Sequence, residues 1–145
     1  KLTEQQFYID ENGNRFDVDN KHVILKPTEK EKEVANMLGE LYGGKVNIIP
    51  RVNEPKDIKT PDYIIKNRKY DLKEIRGKGK YVIEGNLKGK QKQANNFIID
   101  ITHSEIELDE VIRQVQNIYN SKRYSWVDRL ALIKEKEFLK IYKRK

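Results

Sequence analysis

The sequence predicts an α/β fold of the α+β kind, with a mixed central sheet, an N-terminal β-hairpin and a C-terminal helix plus β-hairpin. Three observations predict it. A capped amphipathic helix begins at Thr28, three strand-like runs follow it in succession, and an almost unbroken apolar run, Phe97–Ile101, comes after a second helical segment.

Phe7-Tyr8-Ile9 and Arg15-Phe16-Asp17-Val18 flank Glu11-Asn12-Gly13-Asn14, whose Asn-Gly step favours a tight hairpin. His22-Val23-Ile24-Leu25 is expected to add a third strand to it. Thr28-Glu29-Lys30-Glu31 is a capping box with Pro27 just outside it. Val34, Met37, Leu38 and Leu41 recur at i, i+3, i+4 and i+7 as the buried stripe of that helix, and Gly43-Gly44 ends it. The strand runs are Lys45–Arg51, Pro61–Ile65 and Lys69–Ile75. Val82–Ala94 reads as the second helix, although Gly85 and Gly89 each cost about 1 kcal/mol against alanine there. Phe97–Ile101 has the composition of a strand covered on both faces. A third helix, Asp109 to Tyr119, carries Val111, Ile112, Val115, Ile118 and Tyr119 on one face. Trp126–Ile133, the turn Lys134–Glu137 and Phe138–Tyr142 close the chain.

At 145 residues this is the length of one domain: a β extension over 1–26, a core over 27–102, and a helix with hairpin over 103–145. The net charge of +7 and the 37% of charged residues favour a polyanionic partner, with nucleic acid ahead of membrane. Zero cysteines exclude a disulfide framework and a thiolate metal site. No apolar run approaches a membrane span, and no signal-peptide core is visible at the N-terminus. The chain opens on Lys1 rather than Met, and the expectation is a module from the C-terminal end of a longer carrier.

The chemistry concentrates in Thr60-Pro61-Asp62-Tyr63-Ile64-Ile65 and, nine residues after Asp62, Asp71-Leu72-Lys73. These read as two strands joined by the polar turn Lys66-Asn67-Arg68. Alternation puts Asp71 and Lys73 on one face and Tyr70 and Leu72 on the other. Two carboxylates at neighbouring strand ends make a hard oxygen site for Mg²⁺ or another divalent cation such as Mn²⁺ or Zn²⁺. A lysine one pleat away can steady a phosphate. An acid two residues before a lysine also occurs at Asp19/Lys21, Glu54/Lys56 and Asp57/Lys59. Only Asp71/Lys73 lies within a strand-like run at hairpin distance from a Pro-Asp strand.

From Thr28 to Ile101 the order is helix, strand, strand, strand, helix, strand. It resembles the αβββαβ, restriction-endonuclease-like core of the PD-(D/E)XK nuclease superfamily, in which the first acid ends the second core strand and the (D/E)-x-K triplet lies on the third. Asp62 and Asp71-Leu72-Lys73 occupy those places. The superfamily often adds a glutamate from the first helix, and Glu33 is the match, since Glu31 is accounted for by its capping role. Gly43-Gly44, Pro50-Arg51, Lys59–Tyr63, Tyr70–Ile75 and Gln93–Asp100 together resemble the C-terminal tRNase domain of contact-dependent growth-inhibition and other polymorphic toxins.

That resemblance implies a metal-dependent endonuclease whose metal ligands are Glu33, Asp62 and Asp71. Its substrate would be tRNA in preference to DNA. It further implies a larger carrier polypeptide N-terminal to the domain, delivery by a secreted or cell-surface toxin into the cytoplasm of a target bacterium, and a cognate immunity protein. The +7 charge makes that partner acidic. Some members take the catalytic lysine from the second helix, which leaves Lys73 and Lys90 both open. Asn86, Lys90 and Gln93 would form one polar face of that helix, with Ile83, Leu87 and Ala94 opposite. Lys78, Lys80, Lys88 and Lys92 cluster around its glycines as a phosphate-binding surface. His22 and His103 read as surface residues, and Trp126 as core. Two alternatives are a metal-independent RNase toxin of the barnase, EndoU or colicin type and a non-catalytic basic nucleic-acid-binding module.

Overall fold

The computed structural model describes residues 1–145, which pack as two compact units, Lys1–Tyr70 and Asp71–Lys145. In the first, β1 (Leu2–Glu4) runs parallel to β5 (Val46–Ile48), which pairs antiparallel with β7 (Tyr63–Ile65). β7 pairs in turn with the start of β8 (Arg68–Glu74), Tyr63 opposite Tyr70. Lys66 and Asn67 make the two-residue turn between them, both at positive φ.

The predicted hairpin forms as β2 (Phe7–Ile9) and β3 (Arg15–Asp17). Gly13 takes φ +82°, and the Asp10 carboxylate accepts from the Asn12 and Asn14 N–H groups, closing the loop. The third strand does not join this hairpin. Asp19 turns the chain by accepting three successive N–H groups, from Lys21, His22 and Val23, which hold its carboxyl well below the usual range. Residues Val23–Ile24 become β4, paired with β6 (Arg51–Val52). The run Lys45–Arg51 is accordingly two strands, broken at Ile49-Pro50, because proline cannot donate to a ladder. Tyr8, Val23, Ile49 and Val52 bury together beneath these pieces.

α1 (Glu29–Tyr42) has the predicted capping box between Thr28 and Glu31 and ends at Gly43 in the left-handed conformation. Its buried stripe is Val34, Ala35 and Leu38, whereas Leu41 is exposed.

In the second unit the rest of β8 neighbours β9 (Asn96–Asp100), followed in sheet order by β10 (Arg129–Lys134) and β11 (Glu137–Lys143). β9 and β10 are parallel, with Ala131 opposite Ile98, and α3 (Leu108–Asn120) makes the crossover. Every residue of β9 is buried, as its apolar run predicts. α3 buries Val111, Val115 and Ile118 as expected, but Gln114 takes the place assigned to Ile112, which is 42% exposed. Trp126 packs edge-on against Phe97.

The largest departure is the second helix. α2 spans only Val82–Leu87. Lys88 leaves helical geometry at ψ 127° and Gly89 turns at φ +76°, so Lys88–Gln93 is a compact turn. The polar face Asn86–Lys90–Gln93 therefore does not exist. Ile83, Leu87 and Ala94 are buried nonetheless, the last from the end of the turn.

Candidate functional site

Asp62 stands just ahead of β7, its backbone held from both sides. Its N–H donates to the Tyr70 carbonyl at 3.1 Å, and its carbonyl accepts from the Ile49 N–H at 3.0 Å. The adjacent Tyr63 is fully buried and donates its hydroxyl to the Glu31 carbonyl at 2.7 Å. That bond ties the first turn of α1 to the strand beside Asp62. Asp62 and Glu31 line one cavity of about 310 Å³ together with Lys26, Arg51 and Asn53.

Glu33, the α1 acid expected here, does not line this cavity. Glu31 precedes the buried Val34, Ala35 and Leu38 by three, four and seven positions and so shares their helix face. The capping role hid it in the sequence, yet capping occupies only one carboxylate oxygen. Glu31 Oε1 accepts from the Thr28 N–H at 2.8 Å, while Oε2 lies 3.7 Å from the Arg51 guanidinium.

In the second unit, Asp71 and Lys73 form an ion pair along β8, Nζ to Oδ2 3.4 Å, with side chains 3% and 17% exposed respectively. They share a strand face, as the alternation predicts. Most charged side chains on such a strand are solvated, so this burial separates the pair from the other acid-x-lysine spacings. No group of three or more His, Cys, Asp or Glu side chains is gathered to hold a metal ion, and Glu33, Asp62 and Asp71 do not make one.

The predicted phosphate-binding residues divide. Lys90 is half-buried in the turn after α2, its carbonyl accepting from the Gln93 and Ala94 N–H groups. Lys88 and Lys92 flank it in exposed positions, and Lys80 places its ammonium 5.9 Å from the Tyr81 ring centre. Lys78 lies 3.5 Å from the Glu105 carboxylate. Asn86 bonds its own helix, Nδ2 to the Val82 carbonyl at 2.8 Å, which spends a donor predicted for substrate. His22 is an accessory of the Asp19 turn, its ring 3.1 Å from that carboxylate, and His103 is exposed.

Residues 59–138 match the family described as the contact-dependent growth inhibition CdiA C-terminal domain. The chain belongs to that family. It is accordingly a toxin domain, of a kind delivered into target cells. Among solved structures it is similar to a chain of the CdiA-CT/CdiI toxin and immunity complex from Burkholderia pseudomallei. The TM-score is 0.60 and the identity 20%, with 98% of each chain covered. At that identity the likeness establishes a shared fold. No curated protein matches the chain by sequence, and no helix is long and apolar enough to cross a membrane.

One feature of the toxin domain that sequence reasoning missed supports its lysine-bearing segment. Gln114, 3% exposed on α3, accepts from the Ile83 N–H at 3.0 Å and donates to the Gly79 carbonyl at 2.9 Å. Beside it Arg113 donates to the Lys80 carbonyl and pairs with Glu110. Hydrogen bonds from Arg113 and then Gln114 pull the Glu110 carboxyl down to about 2. The signal in the sequence was a glutamine inside an apolar helix stripe, a polar group that must find partners when buried. Gln114→Leu should destabilise the domain by about 2–4 kcal/mol in denaturant unfolding, because the Ile83 N–H and Gly79 carbonyl lose their partner. A loss below about 0.5 kcal/mol would mean that water replaces the amide.

Proposed function

We propose that this toxin domain is a metal-dependent endonuclease of the PD-(D/E)XK type, acting on tRNA. The observation that carries the reading is the buried Asp71–Lys73 pair on the strand following Asp62. The Asp62 N–H is bonded to Tyr70, and Asp71 is the next residue along the chain. In this reading Asp62 and Asp71 are the two carboxylates that would hold a divalent cation, and the α1 acid that shares a cavity with Asp62 is Glu31 rather than Glu33. Two carboxylates completed by waters and phosphate oxygens are a donor set that Mg²⁺ takes readily. When bound, the ion supplies a water of lowered pKa and charge stabilisation at the scissile phosphate. Lys73, a compact point charge, faces the phosphate. Lys80, Lys88 and Lys92 hold the polyanion at a distance from the cleaved bond, and Lys90 between them is the second candidate for the catalytic charge.

The test is incubation with total tRNA and with duplex DNA, each with Mg²⁺ and with EDTA. Cleavage of tRNA that EDTA stops is expected. EDTA-resistant cleavage would transfer the site to a metal-independent RNase, and no turnover on either substrate would leave a binding module.

The same reading includes a cognate acidic immunity protein that silences the domain in the producing cell. Opposite charge across an interface accelerates encounter, so the association rate should fall as salt rises while dissociation changes less. A rate independent of ionic strength would count against an acidic partner.

A further inference from the structure

We infer that the cavity beside Asp62 is the seat of one unpaired nucleobase of the RNA substrate, and that it sets a requirement for unpaired RNA at the cut. This rests on the nuclease reading and extends it. The cavity has two kinds of lining. Ile24, Leu25, Pro27, Ile48 and Ile49 give it an apolar part, to which Asp62 and Glu31 add two carboxylates. A site built only to hold a cation and a phosphate needs no such apolar part, because both ligands are hydrophilic.

The volume of about 310 Å³ lies at the lower end of small-ligand cavities, roughly 300–1,000 Å³. It admits one nucleotide's base and sugar and is too small for the end of a duplex. Asn53 carries both donor and acceptor atoms for a base edge. Arg51, 72% exposed at its side chain, is a flat cation able to take the adjoining phosphate or stack on the base. Bases in an A-form helix are stacked and paired, and only loops, bulges and ends can splay one outward.

The cavity's walls are also tied to one another by backbone bonds. Ile48 and Ile49 are buried, the Ile49 N–H is bonded to Asp62, and the Asn53 N–H is bonded to the His22 carbonyl at 2.7 Å. A base entering here would be registered against Asp62 through these backbone bonds. One acid and one base seat on the same strand ends would choose which phosphate is presented.

The experiment uses the whole domain carrying Asp71→Asn, so that RNA survives in Mg²⁺. Leu25→Trp, to fill the cavity, and Asn53→Ala, to remove the edge contact, are added separately, with melting curves to show that each folds. A stem–loop RNA and a fully paired RNA of equal length are titrated. Leu25→Trp should weaken stem–loop binding at least tenfold and leave duplex binding within twofold. Asn53→Ala should move in the same direction by a smaller factor. Separately, the four 5′-ribonucleoside monophosphates at millimolar concentration should shift the Ile48 and Ile49 methyl resonances, and Leu25→Trp should abolish those shifts.

Equal weakening for both RNAs, or unmoved methyls, would overturn the base seat. Cleavage by the unmutated domain reports on the nuclease reading independently. If it cleaves while the methyls stay still, the base seat falls and the nuclease stands. If the methyls move and no RNA is cut, the nuclease reading falls and the nucleotide site remains.

Discussion

Asp71→Asn should remove RNA cleavage at saturating Mg²⁺, with a loss of at least 10³-fold and melting close to that of the unmutated domain. The choice of asparagine follows from burial. Asp71 is 3% exposed at its side chain and lies 3.4 Å from the Lys73 ammonium. Truncation to alanine would open space and leave Lys73 without this carboxylate, and breaking a buried pair from one side costs about 3–5 kcal/mol. That is a large part of the total for a domain of this size, typically about 5–15 kcal/mol. Loss of a ligand charge at an open cleft usually relieves repulsion and leaves the fold intact, but Asp71 is too deep for that to apply. Asp62→Ala is the converse case. Asp62 is half-buried at a cavity edge, and the backbone bonds that hold it to Tyr70 and Ile49 survive a change of its side chain. It should abolish cleavage with a stability change under about 1 kcal/mol, since substitutions outside packed cores are usually small. Near-full activity in Asp71→Asn, with the protein folded, would remove the metal-carboxylate mechanism altogether.

Where local physics and tertiary packing agree, the fold was legible in the sequence. The box at Thr28 and Glu31, the Asn-Gly hairpin and the covered strand ending at Asp100 are each specified by residues within a few positions of one another. The errors arise where a short-range pattern competes with a long-range partner. Val23 and Ile24 have strand propensity, but pairing with Arg51 and Val52 is a choice made some 28 residues away. β1 was invisible because three ordinary residues, Leu2-Thr3-Glu4, become a strand only through β5. Ile112 and Gln114 exchanged roles because periodicity resolves a helix face no better than one position.

Of the candidate site, spacing singles out the acids but not their surroundings. Asp62 and Asp71 are singled out by spacing, while Arg51 and Asn53 reach the cavity by way of the β4–β6 pairing, which the sequence did not reveal, and there they meet Glu31 of α1. Lys90 was placed on a helix that Gly89 ends early, so its position owes nothing to helical periodicity.

That difference decides what the two lysines should do. Lys73 is fixed beside Asp71, on a strand, with 17% of its side chain exposed. A preorganised charge aimed at a developing phosphate charge typically contributes about 10²–10³ in rate. Lys73→Ala should therefore lower the single-turnover rate on tRNA by about that factor with Mg²⁺ saturating, and Lys73→Arg should restore little, since a guanidinium is larger and differently shaped. Lys90→Ala should cost more than about tenfold, or 1.4 kcal/mol, because the turn holds its backbone through two hydrogen bonds to one carbonyl. The two losses together should fall short of their product if both lysines stabilise the same phosphate. If Lys90→Ala proves the larger, the catalytic charge comes from the turn and Lys73 serves to neutralise Asp71. If neither loss reaches tenfold, both lysines are structural and the phosphate charge must be met by another group.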